Sequence, residues 1–396
     1  MAHEDHGALY EYLDSRGVSR RDFLKYCASV AAMLGLSETF IPQIARAIES
    51  GAKLKPALWL NGGSCTGCTE SAAQAGYPDV AQIVLEILSI NYFETVMMAA
   101  GASAEEAASE TIDKGGYVLV YEGSVMQGED GWTLFVAGGP NNKDARTGEA
   151  VLEEAAKNAD AVIAVGSCAV DGGWVAGAPN PADATGVLPF LKDKRIKTPV
   201  VNLPTCPVNP EWIVAVVVDY LLLERLPELD DFNRPKLMFG QTIHDNCPRR
   251  GHFENGEFVY EFGSEAEAKG YCLYAVGCKG PTTYTNCPVV RWNEKVSWCV
   301  ESGSPCIGCG TANPTAAGGN WVDQNTPFFN RLRDIPLGGS IGNTQPAAIG
   351  ALAGGVVAAG IGVHAIGMVA TGRTKGGAEY EPEKAWDRKH GKGGDK

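Results

Sequence analysis

Pro56-Ala-Leu-Trp-Leu-Asn-Gly-Gly-Ser-Cys-Thr-Gly-Cys-Thr-Glu-Ser71 is the stretch on which the fold turns. An apolar run at 56–60 stops at a glycine pair, and a C-x-x-C pair, Cys65 and Cys68, follows at once. Working outward, similar runs occur at Tyr117–Glu122, Ala161–Val165 and Pro199–Leu203, each bounded by Gly or Pro. Stretches with helical patterning, such as 79–90 and 149–158, fall between them. Short continuous apolar runs alternating with helices predict an α/β fold with a parallel sheet covered on both faces. Two more cysteines repeat the first placement. Cys168 lies in Gly166-Ser-Cys-Ala169 and Cys206 in Pro204-Thr-Cys-Pro207, each just past one of these runs. Four thiols therefore stand beyond the carboxyl ends of three strands, where an open parallel sheet has its ligand crevice. Four soft thiolates suit a [4Fe–4S] cluster or a tetrahedral zinc.

From about residue 230 the helical periodicity fades, and Gly, Pro, Asn and Cys become frequent. Such a segment has little apolar core of its own and calls for metal centres. Its donors fall into two groups: His244, Cys247, Cys272 and Cys278, then Cys287, Cys299, Cys306 and Cys309. Spacing alone leaves cluster, zinc and disulfide open for each. No nucleophile–base pair, G-x-G-x-x-G or Walker loop is evident. Three soft-metal sites without catalytic machinery suggest conduction of single electrons. The whole chain has 396 residues, 12 cysteines and a formal charge of -14, which excludes nucleic acid as the main partner.

The two ends read as addresses. Ser19-Arg-Arg-Asp-Phe-Leu-Lys25, a weakly apolar stretch to Ile44 and Ala45-Arg-Ala47 predict a twin-arginine export signal over 1–47, with Cys27 inside it. Near the other end, 347–371 has no acidic or basic side chain apart from His364, and it contains the small-xxx-small spacing Gly350-Ala-Leu-Ala-Gly354. It is long enough to cross a hydrocarbon core of about 30 Å as a helix. The basic residues of the tail, 372–396, place that tail in the cytoplasm and the globular part outside.

Taken together, these motifs resemble the small subunit of the membrane-bound [NiFe] hydrogenases. The resemblance rests on Arg20-Arg-Asp-Phe23, Cys65-Thr-Gly-Cys-Thr-Glu-Ser71, Gly166-Ser-Cys168, Cys206-Pro-Val-Asn-Pro210 and His244-x-x-Cys247. It continues through Gly277-Cys-Lys-Gly-Pro281, Asn286-Cys-Pro288 and Pro305-Cys-Ile-Gly-Cys309. It implies a flavodoxin-like domain over 50–228, a small irregular iron–sulfur domain over 229–335 and a C-terminal transmembrane helix. It implies a proximal [4Fe–4S] on Cys65, Cys68, Cys168 and Cys206, and a distal [4Fe–4S] on His244, Cys247, Cys272 and Cys278. The medial cluster falls to Cys287, Cys306 and Cys309. The nickel–iron centre belongs to a separate large subunit, so no catalytic residue is expected here. The implied acceptor is a membrane cytochrome b or another quinone-linked protein, and His364 could touch its haem or a partner helix. A higher oligomer of heterodimers at the periplasmic face is also expected.

Two departures within the family pattern matter. Many members have a proline seven residues before the last C-x-x-C pair and hold a [3Fe–4S] medial cluster. Here Cys299 stands there, after Trp298, and predicts a fourth thiolate and a [4Fe–4S] cluster. Members with extra cysteines at the proximal site tolerate oxygen. Here Gly67 and the segment Cys168-Ala-Val-Asp-Gly-Gly173 carry none, so ordinary oxygen sensitivity is expected. The competing readings are a quinone-reductase subunit, which would share only the first four-cysteine site, and a zinc-stabilised exported binding protein.

Overall fold

The computed structural model describes residues 55–76, 88–137, 145–223, 226–315 and 319–329, with a few short pieces elsewhere. Nearly all of the export signal at 1–47, most of the expected span at 347–371 and the tail at 372–396 lie outside the described residues. No helix among the described residues is long and apolar enough to cross a membrane. Residues 1–333 form one compact unit and 334–396 another.

Five strands build the central sheet: β1 Lys55–Asn61, β2 Leu88–Phe93, β3 Tyr117–Glu122, β4 Ala159–Val165 and β5 Val200–Leu203. Their order is β2-β1-β3-β4-β5, and every neighbouring pair is parallel. This is the flavodoxin-like order, whose switch point lies between β1 and β3. Three expected strands agree with the structure to within two residues at either end, and 117–122 coincides with β3. The expected helix at 79–90 needs correction. Residues 88–90 open strand β2, and 79–87 lie outside the described residues. Leu88-Ser-Ile-Asn-Tyr-Phe93 is rich in β-branched and aromatic side chains, which favour a strand where a neighbour offers an edge. Here β1 offers it, and Trp59 stacks on Phe93 with ring centroids 4.6 Å apart.

The sheet is buried on both faces because successive side chains alternate. Leu58, Leu119, Tyr121, Val162 and Ala164 face a core closed by α2 Ala102–Lys114, α3 Gly148–Asn158 and α5 Val187–Asp193. Ala57, Trp59, Val118, Val120, Ile163 and Val201 face the opposite core, closed by the apolar helix α6 Pro210–Leu223. That second core also takes in Met238, Phe239, Ile243, Leu273, Val276, Trp298 and Val300. The cysteine-rich segment therefore shares a core with one face of the sheet instead of building its own.

Two short helices shape the crevice at the strand ends, α1 Gly67–Ala73 after β1 and α4 Gly166–Asp171 after β4. Thr66, which precedes α1, has φ 60° and gives no side-chain cap. Glu122, at the end of β3, satisfies the first turn from across the sheet. Its buried carboxylate accepts from Cys68 N at 3.0 Å, Thr69 N at 3.0 Å, Thr69 Oγ1 at 2.5 Å and Trp59 Nε1 at 3.4 Å. Removing that acceptor leaves several buried donors unpaired. Glu122→Ala should destabilise the fold by about 3 kcal/mol, seen as a lowered thermal midpoint by circular dichroism. An unchanged midpoint would mean that water replaces the carboxylate at no cost.

Candidate metal centres

All eleven described cysteines are unpaired, so no disulfide competes for them. They gather, with His244, into the three groups expected from the sequence. In the first, Cys65 and Cys68 come from the α1 loop, Cys168 from α4 and Cys206 from the turn after β5. Burial pushes the Cys68 thiol far up, and Glu122, Cys168 and Cys206 add to the rise. Burial also raises Cys168, to about 12, with Cys206 and Cys65 contributing. Cys206 is raised for the same reasons, burial first and Cys65 next. Thiols that raise one another in this way are close together and would share any charge placed among them.

The surroundings of this group leave room and offer donors. Gly166 has φ 84°, and a Cβ there would collide with Cys68 Sγ; Gly173 has φ 53°, and a Cβ there would collide with Cys168 Sγ. Val208 N donates to Cys68 Sγ at 3.5 Å. Trp174 donates twice, through its backbone amide to Cys168 and through its indole to Cys206. Asp171 fixes the loop that carries Trp174, accepting from Gly173 N at 3.0 Å and from Trp321 N at 2.9 Å. Trp174 packs edge-on against Trp321 and Phe328, each at 5.5 Å. Neither Glu122 nor Trp174 was singled out in the sequence. A buried acid ending a strand, and a tryptophan six residues past Cys168, were the available signals.

In the second group, His244, Cys247, Cys272 and Cys278 line one cavity. His244 sits on the short turn His244–Asn246, edge-on to Phe253 at 4.6 Å. Burial lowers its imidazole below the ordinary value, and Arg250 lowers it further, which keeps a ring nitrogen free to bind metal. Burial raises Cys272 to about 11, and it raises Cys247 and Cys278 as well.

Cys287, Cys299, Cys306 and Cys309 line a second cavity, of about 330 Å³, which Cys206 also borders. Burial raises Cys287 to about 12 and Cys306 and Cys309 well above the ordinary value. Cys299 raises all three. As a residue Cys299 is exposed, yet burial still raises its thiol. Its place in the cavity lining reconciles the two: the sulfur faces inward from a segment at the surface. Thr285 Oγ1 donates to Cys287 Sγ at 3.0 Å and Gly308 N to Cys306 Sγ at 3.4 Å. Trp298 Nε1, on the same wall, is buried without a hydrogen-bond partner and could serve a cluster sulfide.

This last group touches both others. Ser167 Oγ, beside Cys168, donates to Cys309 O at 2.8 Å, Cys206 and Cys309 border one cavity, and the Cys306 amide donates to Cys278 Sγ at 3.4 Å. Among the described residues, no three His, Cys, Asp or Glu converge closely enough to hold one metal ion. Buried thiols, amide donors, side-chain-free glycines and an orphaned indole fit a sulfide-bridged iron core.

The comparisons with known proteins agree. A family profile for the C-terminal part of NiFe/NiFeSe hydrogenase small subunits matches residues 239–323, and one described as NADH ubiquinone oxidoreductase, 20 Kd subunit matches residues 65–220. The uptake hydrogenase small subunit of Azotobacter vinelandii is 43% identical over 350 residues, covering 88% of this chain and 92% of that one. The periplasmic [NiFe] hydrogenase small subunit 1 of Nitratidesulfovibrio vulgaris is 40% identical over 81% of this chain and 95% of its own length. A solved structure of the reduced, active Ni-Fe-Se hydrogenase from Desulfomicrobium baculatum is similar with a TM-score of 0.64 and 33% identity, over 71% of this chain and 100% of that one. The likeness to a quinone-reductase subunit stops at residue 220, whereas the likeness to hydrogenase small subunits extends through the cysteine-rich segment. The chain belongs to the [NiFe] hydrogenase small-subunit family, the electron-transfer subunits of hydrogenases.

Proposed function

We propose that the three donor groups hold three iron–sulfur clusters in series and connect a nickel–iron site on a partner large subunit to a membrane acceptor. Cys65, Cys68, Cys168 and Cys206 hold a proximal [4Fe–4S]. Cys287, Cys299, Cys306 and Cys309 hold a medial [4Fe–4S]. His244, Cys247, Cys272 and Cys278 hold a distal [4Fe–4S]. When bound, these clusters supply one-electron storage at successive points through the protein. The observation that carries the reading is the pair of hydrogen bonds that join the groups in order, from Ser167 Oγ, beside Cys168, to Cys309 O and from the Cys306 amide to Cys278 Sγ. An amide that donates to a thiolate stabilises its charge and gives neighbouring sites a short bonded route.

The finer placement follows from the sequence. Residues 50–228 act as the sheet domain and 229–335 as the cluster-wrapped segment. Residues 1–47 direct export by the twin-arginine route, a destination that accords with the periplasmic name of a relative. Residues 347–371 anchor the chain from the periplasmic side, with 372–396 in the cytoplasm. The acceptor is a cytochrome b or another quinone-linked protein, which His364 could meet, and the heterodimers assemble further.

The chain purified without its partner should reduce no dye with hydrogen, while its clusters in the complex become reduced under hydrogen. Clear turnover by the isolated chain would place catalysis on this protein and overturn the assignment. For the medial site, Cys299→Pro should convert a [4Fe–4S] centre into a [3Fe–4S] centre, visible as a new signal in oxidised-state EPR. A [3Fe–4S] signal at full occupancy in the unmodified, anaerobic protein would show that Cys299 is not a ligand.

A further inference from the structure

Lys279 has almost no solvent-accessible surface, 1%, although lysine is among the residues least often buried. It follows Cys278 directly, and its backbone amide donates to Cys306 O at 2.8 Å, so it stands where the second and third donor groups meet. Its Nζ donates to Gly277 O at 2.9 Å, Pro327 O at 3.1 Å and Phe328 O at 2.7 Å. An ammonium has three donors, and three carbonyl oxygens take them. Carbonyl dipoles turned on one nitrogen favour its charged form. The three carbonyls thus form a cradle that suits an ammonium at a junction of buried sulfurs. Burial raises the Cys278 thiol; the amides of Gly280 and Cys306 and the charge of Lys279 oppose that rise.

We propose that Lys279 is a positioning residue for electron flow, a fixed buried positive charge at the medial–distal junction that favours the reduced state of the distal centre. The proposal rests on the cluster assignment above. Adding an electron to a cluster adds a negative charge, and a nearby cation stabilises that charge more strongly in a buried place than in water. The alternative is a purely structural role, in which the ammonium only ties the Gly277 turn to the 327–328 turn. The two roles separate when the charge is removed and hydrogen-bond donors are kept.

The test is potentiometric titration of the purified complex of small and large subunits, followed by low-temperature EPR. The distal signal is identified by its change in His244→Cys. In Lys279→Gln, which keeps an amide donor, the ratio of reduced to oxidised distal centre at a given potential should fall at least tenfold, about 59 mV for one electron. The proximal centre should not move, and Lys279→Arg, which keeps the charge, should stay near the parent. A distal potential unchanged in Lys279→Gln, with all cluster signals present, overturns the proposal and leaves the cluster assignment standing. Absence of cluster signals in the parent complex would instead overturn the assignment itself. If Lys279→Gln fails to assemble, Lys279→Arg decides. Assembly by the arginine variant supports a need for charge, and failure of both assigns the lysine to packing alone.

Discussion

The structure depends on how buried sulfur can carry charge. A thiolate removed from water is costly, and several thiolates close together also repel one another. Burial raises ten of the eleven described cysteine thiols, and neighbouring thiols raise eight of these further, Cys247 and Cys299 being the exceptions. Without metal these would be neutral, inert thiols packed as small apolar side chains. With metal they would become ligands, and the amides, hydroxyls and indoles aimed at them would stabilise their charge. The donors on Cys68, Cys168, Cys206, Cys278, Cys287 and Cys306 sit where ionised sulfur needs them.

The same constraint explains why the segment beyond residue 229 can do without much regular structure. Its described helices and turns are three to five residues long. It leans on the sheet instead: Met238, Phe239, Ile243, Leu273, Val276, Trp298 and Val300 share a core with α6 and one sheet face. Specific links add to the shared core. Trp212 Nε1 donates to Asn286 Oδ1 at 2.9 Å, Asn209 Nδ2 to Arg291 O at 2.6 Å and Ser167 Oγ to Cys309 O at 2.8 Å. These links tie α4, the turn after β5 and the start of α6 to the segment that carries the third donor group. Electron transfer needs fixed spacing more than it needs a mobile site.

Much of this was legible in the sequence because it is local. A continuous apolar run ended by glycine announces a buried parallel strand, and cysteines after three such runs must meet at one sheet end. Strand β2 was not legible, since its six residues follow a stretch with helical patterning and become a strand only beside β1. The supporting residues were illegible for a different reason. Glu122 reaches Cys68 across 54 positions, and Lys279 reaches Phe328 across 49. Nothing in the residues beside them marks either partner. The links of Ser167 to Cys309 and of Cys306 to Cys278, which run from one donor group to the next, also arise only in three dimensions.

The central claim is that these donors bind iron and sulfide rather than zinc, and elemental analysis of the purified, anaerobically handled complex tests it most directly. After the metal of the large partner is subtracted, the account predicts about twelve irons per copy of this chain with a matching amount of acid-labile sulfide. Zinc at these positions without sulfide would contradict it and return the chain to the class of metal-stabilised binding proteins.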